Sequence, residues 1–261
     1  MRAIAAGISD VGRARLHNED RYILLPEFNV FVVADGMGGH KAGEVASRMA
    51  ASTIAGYFRD AAGKRRKVPV GDRLRAAVKD ANARIYARGD DSRAHRGMGT
   101  TVVAAAFGPR ESTFYVAHAG DSRCYLLRAG EILQLTRDHS LLQDALLERP
   151  DLTESDLAYL PRNVITRALG IGPTVEVDLH AEPAQLGDVF LLCSDGLHGL
   201  VDDIEIARIV RDNAVLTAAC EELIDRANRN GGRDNITAVL VRIEDGVAPW
   251  VRPRVGKVRS R

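Results

Sequence analysis

The sequence predicts an α+β fold in which two antiparallel β-sheets pack together and helices cover their outer faces. Short apolar runs rich in Ile, Leu, Val and Thr, such as residues 30–34 and 236–241, recur along the chain and are typical of strands. Segments with helical periodicity lie in pairs between groups of these runs, instead of alternating strictly with single strands. This order favours layers of antiparallel sheet and helix over a parallel sheet.

Each strand is assigned from a local apolar run, and the chain offers ten of them. The predicted strands lie at about 3–9, 21–25, 30–34, 100–107, 112–119, 122–127, 131–135, 175–180, 188–193 and 236–242.

Four long helices are predicted, at about 42–59, 72–88, 203–211 and 215–230. In the second and fourth, apolar residues recur at a spacing that places them on one helical face. They are Leu74, Ala77, Val78, Ala81 and Ile85 in the second helix, and Leu216, Ala219, Leu223 and Ala227 in the fourth. Gly231 and Gly232 then supply a stop for the fourth helix.

Residues 139–169 contain little strand signal, and we predict that they form a small inserted flap. Leu141, Leu142, Ala145 and Leu146 indicate a short amphipathic helix that Pro150 ends. The sequence of residues 153–156 resembles a capping box that opens a further helix.

Length and composition favour one large domain over residues 1–243. The chain has 261 residues, of which 46% are hydrophobic, enough for a sizeable core. After Glu244 the composition changes to Gly, Pro and basic residues, so we predict that residues 244–261 form a basic, disordered tail.

The charge balance gives no reason to expect a nucleic acid or an acidic membrane as partner, because 36 basic and 35 acidic residues leave a net charge of +1. No apolar stretch approaches the roughly 20 residues of a membrane span, and the first residues lead directly into a strand. The three cysteines show no C-x-x-C spacing, which argues against disulfides and a zinc cluster. We therefore expect a cytoplasmic protein with reduced thiols.

Four aspartates lie at strand ends, where strand direction can bring them together. Asp35 and Asp195 follow the strands at 30–34 and 188–193, whereas Asp20 and Asp234 precede strands. Neighbouring antiparallel strands run in opposite directions, so two exits and two entries can meet at one edge. Carboxylates crowded in this way resist ionisation unless a cation compensates them, and hard oxygen ligands select Mg²⁺ or Mn²⁺.

The aspartates belong to five short motifs that occur in a fixed order. They are the segments 9–20, 33–40, 119–123, 193–197 and 232–237. Together, over residues 1 to about 243, they resemble the PPM family of metal-dependent serine/threonine protein phosphatases, the protein phosphatase 2C type, in its bacterial form. The resemblance implies a four-layer α-β-β-α sandwich and a centre of two Mn²⁺ or Mg²⁺ ions. There, a hydroxide that bridges the ions attacks the phosphorus of phosphoserine or phosphothreonine.

The candidate metal ligands follow from that resemblance and from the strand ends. Asp35 ends a buried strand and is assigned to both ions, and Gly36 offers its bare backbone carbonyl to the first. Asp195 and Asp234 complete the ligand set of the second ion. The resemblance implies that Asp20, with Glu19, holds metal-bound waters and that Asp121 binds a possible third, weaker ion.

Arg15 and His40 are the other candidate catalytic residues. The family pattern places a phosphate-binding arginine three residues after a glycine, which is Arg15 and not the neighbouring Arg13. Met37 stands where eukaryotic members have a histidine, so His40 is the nearest candidate for the general acid. His40 can alternatively contact substrate or face solvent. For His139, a contact with substrate and a structural hydrogen bond are both open.

The resemblance implies an enzyme that dephosphorylates proteins, including serine/threonine kinases, and so opposes bacterial kinases. Two alternatives remain, a non-catalytic sensor with the same fold and a narrow regulatory phosphatase for one anti-sigma-type partner. We expect a monomer.

Overall fold

The computed structural model of the protein describes residues 1–38, 41–60, 68–91, 95–153, 156, 160–161 and 164–246. The strands are β1 (Arg2–Asp10), β2 (Arg21–Leu25), β3 (Val30–Ala34), β4 (Gly36–Met37), β5 (Gly99–Thr100), β6 (Val102–Gly108), β7 (Thr113–Ala119), β8 (Arg123–Arg128), β9 (Glu131–Gln134), β10 (Asp178–Pro183), β11 (Val189–Cys193) and β12 (Ile236–Glu244). The helices are α1 (Lys41–Asp60), α2 (Val70–Asp90), α3 (Leu141–Glu148), α4 (Asp195–His198), α5 (Asp203–Asp212) and α6 (Leu216–Arg229). A 3-10 turn covers Pro26–Phe28.

The strands form two antiparallel five-stranded sheets and one small ladder. The first sheet has the order β1-β12-β11-β8-β9, and the second has the order β10-β7-β6-β3-β2. Helices α1 and α2 pack on the second sheet, and α5 and α6 cover the first. The predicted α+β fold with a four-layer α-β-β-α sandwich is therefore confirmed.

Both faces of each sheet are buried, which explains why the strands appear as continuous apolar runs. In β3, Val32 packs under the α1 and α2 helices, whereas Phe31 and Val33 face the other sheet, as the two-residue period of a strand requires. Between the sheets Phe114 and Phe190 stack with ring centroids 3.7 Å apart. The core thus holds the strand ends of both sheets in fixed register.

Two strand predictions differ from the structure. The run predicted as one strand at 100–107 is divided into β5 and β6, because the backbone N–H of Thr101 donates to Asp35 O outside the ladder. The strand predicted at 175–180 begins at Asp178. Val175 and Val177 are apolar because they pack against the helical layer rather than because they lie in the sheet.

The predicted short helix of the flap is confirmed as α3, and the side chain of Ser140 caps its N-terminus by accepting from Gln143 N. Thr153 and Asp156 make the reciprocal hydrogen bonds of a capping box, although most of the predicted helix after them lies outside the described residues. The tail after residue 246 also lies outside them. Within the described ranges, every helix is too short or too polar to cross a membrane.

Candidate metal centre

A cavity of about 490 Å³ opens at the end of the sandwich where the acidic strand ends meet. Its polar wall includes Asp35, which follows β3, Asp195, which follows β11, and Asp234, which precedes β12. The remaining lining residues are Ala14, Arg15, Leu16, His17, Glu19, Gly36, Met37, Gly38, Ile165 and Asn235.

Strand register explains why these carboxylates share one end. Arg21 of β2 pairs with Ala34 of β3, so Asp20 and Asp35 lie side by side just beyond that pair. In the other sheet Cys193 of β11 pairs with Ala238 of β12, which places Asp195 beside the entry of β12. Sheet packing then brings the two pairs face to face.

Five aspartates, Asp20, Asp35, Asp121, Asp195 and Asp234, form what we call the carboxylate cluster. Desolvation by burial raises the pKa of Asp35 well above its usual value, and the charges of the other four carboxylates raise it further. The side chains of Asp35 and Asp195 are at hydrogen-bonding range of one another. Carboxylates so close stay ionised together only if a cation compensates them.

Asp20 forms the floor of the cluster. Its Oδ2 accepts hydrogen bonds from the hydroxyls of Ser194 and Thr237, each over 2.7 Å. Its Oδ1 is buried and has no hydrogen-bond partner among the described residues. Burial, together with the nearby charges of Asp195 and Asp234, raises its pKa to about 6 even though the two hydroxyls oppose the shift.

Asp121 lies just after β7, at the side of the cluster. Burial raises its pKa to about 7, with the charges of Asp195 and Asp138 adding to the effect. Its backbone carbonyl accepts a hydrogen bond from His198 Nε2 over 3.0 Å. The side chain is therefore aimed by a fixed backbone and not by a flexible loop.

The donor set fits divalent cations. The Oδ1 atoms of Asp20, Asp121 and Asp195 are buried and lack hydrogen-bond partners within the described ranges, although such oxygens are costly to leave unsatisfied. All candidate donors are carboxylate or carbonyl oxygens, which suit Mg²⁺ and Mn²⁺ better than softer metals. The cluster can therefore hold cations where the sequence places them.

Gly36 permits the close approach of backbone that this site needs. A Cβ built on Gly36 would lie 2.3 Å from Gly43 O and 2.7 Å from Glu19 O. Any larger residue would push the first turn of α1 and the segment before β2 away from Asp35. The requirement for glycine comes from this contact, and the use of the Gly36 carbonyl as a ligand stays a prediction.

Arg15 lies on the cavity wall, where its Nη2 donates to Asp234 Oδ2 over 2.7 Å. The loop that carries it is fixed by hydrogen bonds from the backbone N–H groups of Arg13 and Ala14 to Gly232 O. Arg13 itself does not line the cavity. The structure thus brings the sequence-predicted clamp into the cluster, in contact with a candidate metal ligand.

His40 lies outside the described residues, and the structure gives no position for it. Met37, which directly follows Gly36, lines the cavity. All the other predicted site residues are described and lie in or beside the cluster.

His139 has the structural hydrogen bonds that the sequence left open as one of two roles. Its Nδ1 accepts from Gly120 N over 3.1 Å, and its backbone N–H donates to Gly120 O over 3.0 Å. The ring stacks on His118 at 4.7 Å with an angle of 5° between planes. Through Gly120, His139 fixes the turn that carries Asp121.

His118, His139 and Asp178 bring their ligand atoms within 4.8 Å of one another, but their geometry does not suit a metal. A cation lies in the plane of each imidazole that binds it, and these two rings are parallel and stacked. In addition, Arg167 Nη1 lies 2.7 Å from Asp178 Oδ1 and 3.0 Å from His139 Nε2. The guanidinium therefore occupies the position of a cation and holds the flap base to β10.

Sequence reasoning missed the residues that hold the cluster together. Asn235 donates from Nδ2 to the carbonyls of Val11 and His17, each over 2.9 Å, and accepts from Glu19 N over 2.8 Å. Ser194 and Thr237 were missed as partners of Asp20. The available signal was their position, since each lies next to, or close to, an aspartate at the same strand end.

Comparison with known proteins identifies the family. The family model for protein phosphatase 2C matches residues 13–241. The serine/threonine phosphatase stp of Listeria monocytogenes is 38% identical over 237 residues, covering 89% of this chain and 93% of that protein.

Solved structures give the same result. The serine/threonine phosphatase PstP/Ppp of Mycobacterium tuberculosis has 36% identity and a TM-score of 0.84, covering 94% of this chain and 100% of that one. The PstP catalytic domain solved in complex with 2 manganese ions has 35% identity and a TM-score of 0.81, and the match covers 93% of this chain and 99% of that one. The matched residues contain the whole carboxylate cluster. The chain belongs to the protein phosphatase 2C family.

Proposed function

We propose that the protein is a metal-dependent phosphatase that hydrolyses phosphoserine and phosphothreonine on other proteins. The observation that carries this proposal is the carboxylate cluster around Asp35, in which three buried carboxylate oxygens lack partners among the described residues. Family membership and relatives named as serine/threonine phosphatases support the same reaction.

We assign the cation ligands within the cluster as the sequence predicted. Asp35 would be a ligand of both ions, Gly36 would offer its carbonyl to the first, and Asp195 and Asp234 would hold the second. Asp20 and Glu19 would act through bound waters, and Asp121 would hold a third ion. When bound, Mn²⁺ or Mg²⁺ supplies Lewis-acid chemistry, because it lowers the pKa of water and neutralises charge on the phosphate oxygens.

The protein's own residues orient the substrate and keep the cluster rigid. Arg15 donates to the phosphate oxygens, for which a guanidinium fork has the right geometry. Its contact with Asp234 holds the guanidinium at the cavity wall until a cation binds Asp234. Asn235 fixes the loop that carries Arg15 at both ends, so the loop loses little conformational freedom when the phosphate binds.

Protonation of the leaving group is assigned to His40. A histidine has a suitable ordinary pKa for this role, and His40 lies three residues after Met37, which lines the cavity. A role in contacting substrate is the alternative for this residue.

We further propose that the protein acts in the cytoplasm as a monomer and opposes serine/threonine kinases. The flap, residues 139–169, contributes to the choice of protein substrate. The alternative of a non-catalytic sensor is disfavoured because Asp35, Asp195 and Asp234 are all present and all line the cavity. A narrow regulatory phosphatase would share the same chemistry and differ only in its substrate.

The test is hydrolysis of a small aryl phosphate, with Mn²⁺, with Mg²⁺ and with a chelator, followed by competition with a phosphothreonine peptide. We expect turnover with either ion, loss of turnover with the chelator, and inhibition by the peptide. Asp225→Asn, a change at an exposed ion pair on α6, is the matched control and should keep full activity. An enzyme that is inactive with every ion would support the sensor instead.

A further inference from the structure

Leu16 is the most exposed large hydrophobic residue in the part of the chain that the structure describes. Its exposed fraction is 91%, compared with 83% for Ile204, the next highest. It lies in the loop between β1 and β2, directly after Arg15, and it lines the cavity of the carboxylate cluster. An apolar side chain held in water at the mouth of a functional cavity suggests a binding contact.

Hydrogen bonds fix the backbone of the loop that carries Leu16, so the side chain is not free to fold back onto the protein. Asn235 Nδ2 donates to the carbonyls of Val11 and His17, which lie on either side of Leu16 in the chain. Gly12 makes the turn with a φ of 76° and donates to Asp10 Oδ1 over 2.8 Å. The leucine is therefore presented to solvent by a fixed backbone.

Two further large apolar side chains line the same cavity, namely Met37 after β3 and Ile165 at the base of the flap. Ile165 is placed there by a β-bridge with Ser140, and Leu141 N donates to Val164 O beside it. We call Leu16, Met37 and Ile165 the apolar lip. The cavity thus combines a carboxylate wall with the apolar lip, of which Leu16 is the most exposed member.

The adjacency of Arg15, which we propose as the phosphate clamp, and Leu16 of the apolar lip fits a peptide substrate. Leu16 follows Arg15 through an ordinary trans peptide, so their Cα atoms are about 3.8 Å apart. A phosphate bound by Arg15 therefore lies no farther from the Leu16 backbone than an arginine side chain and its hydrogen bond reach. A small phosphate ester offers only its leaving group to the apolar lip, whereas a phosphoprotein has side chains on both sides of the phosphorylated residue.

We propose that the apolar lip is a subsite for an apolar side chain adjacent to the phosphorylated residue of a protein substrate. This inference rests on the proposed function and adds a determinant of substrate choice to it. The occupant is an aliphatic side chain, because Leu16, Met37 and Ile165 offer no charge or hydrogen bond, and burying them removes apolar surface from water.

The test compares two phosphothreonine peptides that differ only in the residues flanking the phosphothreonine, which are leucine in one and serine in the other. We expect the wild-type enzyme with Mn²⁺ to show a kcat/KM for the leucine-flanked peptide that is about three- to tenfold higher. In Leu16→Ser this ratio should fall towards one, and in the conservative variant Leu16→Met it should persist. Ile204→Ser, at a similarly exposed position on α5, should keep the wild-type ratio.

Each other outcome counts against the subsite in a distinct way. If the wild type hydrolyses both peptides equally, or if Leu16→Ser keeps the preference, the subsite is refuted while the phosphatase activity stands. If the wild type hydrolyses neither peptide, the proposed function itself fails, and the subsite with it. If sedimentation shows a dimer that Leu16→Ser abolishes, the leucine binds a second copy of this chain and the proposal is overturned.

Discussion

Arg15 and Asp234 form an ion pair in which Arg15 Nη2 lies 2.7 Å from Asp234 Oδ2. The residue that we propose as phosphate clamp thus contacts a residue that we propose as a metal ligand. Asp234 Oδ1 is also engaged, because it accepts from Asn235 N over 2.8 Å. We therefore expect a divalent cation at Asp234 to compete with the guanidinium for the same oxygen, and its binding to release donors of Arg15 for the phosphate.

This competition predicts opposite effects of Arg15→Ala on cation and substrate. The apparent Kd for Mn²⁺ should fall or stay constant, because a positive charge and a competitor for Asp234 are removed. The kcat/KM for phosphopeptide should fall roughly ten- to 150-fold, because a charge-assisted hydrogen bond of about 1.5 to 3 kcal/mol is lost. Calorimetric titration with Mn²⁺ and steady-state kinetics measure the two effects.

The matched control is Arg13→Ala, in the same loop but away from the cavity, which should change neither value. A weaker affinity for Mn²⁺ in Arg15→Ala would show that the arginine supports the cation and would contradict the competition.

The variants Asp35→Asn and Asp195→Asn should abolish turnover and leave the fold intact. Each replaces a buried carboxyl group that resists ionisation beside other carboxylates with a neutral amide, so the protein without metal should unfold at the same or a higher temperature than the wild type. Circular dichroism melting with and without a chelator checks the fold, and aryl phosphate hydrolysis checks turnover. Full activity in either variant would refute the assignment of these carboxylates.

We predict that the buried imidazole of His198 makes the folded protein less stable in acid. Burial, with the charge of Arg123, lowers the pKa of His198 to about 4, although Asp138 and the Asp121 carbonyl act in the opposite direction. In the unfolded chain its pKa is about 6.5, so between these values the unfolded state binds a proton that the folded state does not. Above pH about 6.5, protonation of His198 does not reduce the free energy of unfolding. As the pH decreases from there towards 4, protonation of His198 in the unfolded chain lowers the free energy of unfolding.

Urea unfolding of wild type and His198→Gln between pH 4 and 8 measures this effect. The difference in the free energy of unfolding between the two proteins should shift in favour of the variant as the pH decreases. His180→Gln, at a half-exposed position on β10, is the control and should follow the wild type. A difference that is constant with pH would contradict the assignment.

His40→Ala tests the general acid. If His40 protonates the leaving group, the kcat profile against pH should change on the limb where this group loses its proton, and an aryl phosphate with a good leaving group should lose less activity than a phosphopeptide. An unchanged profile with a raised KM would assign His40 to substrate contact instead.

The flap should affect protein substrates more than small ones. Leu147 of α3 is exposed, so Leu147→Ser removes an apolar surface contact without disturbing the core. We expect a lower kcat/KM for a phosphoprotein and a smaller change for an aryl phosphate. Equal losses on both substrates would contradict a role of the flap in substrate choice.

The strand ends made much of the site predictable. Asp35 and Asp195 each follow an apolar run that is buried on both faces, so strand direction alone indicated where their carboxylates would lie. The four layers followed from the same runs and from the helical periodicity between them.

Other features depend on contacts between residues far apart in the chain, which local patterns do not encode. The Arg15–Asp234 ion pair joins residues separated by 219 positions. Asn235 was missed because its role is to hold backbone carbonyls of the β1–β2 loop. Val175 and Val177 were misassigned because the apolar alternation came from packing against the helical layer.

The most direct test of the central claim is a crystal grown with Mn²⁺ and measured at the manganese absorption edge. We predict at least two anomalous peaks inside the carboxylate cluster, with oxygens of Asp35, Asp195 and Asp234 at ligand distance. Crystals in which no anomalous peak contacts these side chains, although the enzyme in the same solution is active, would contradict the claim.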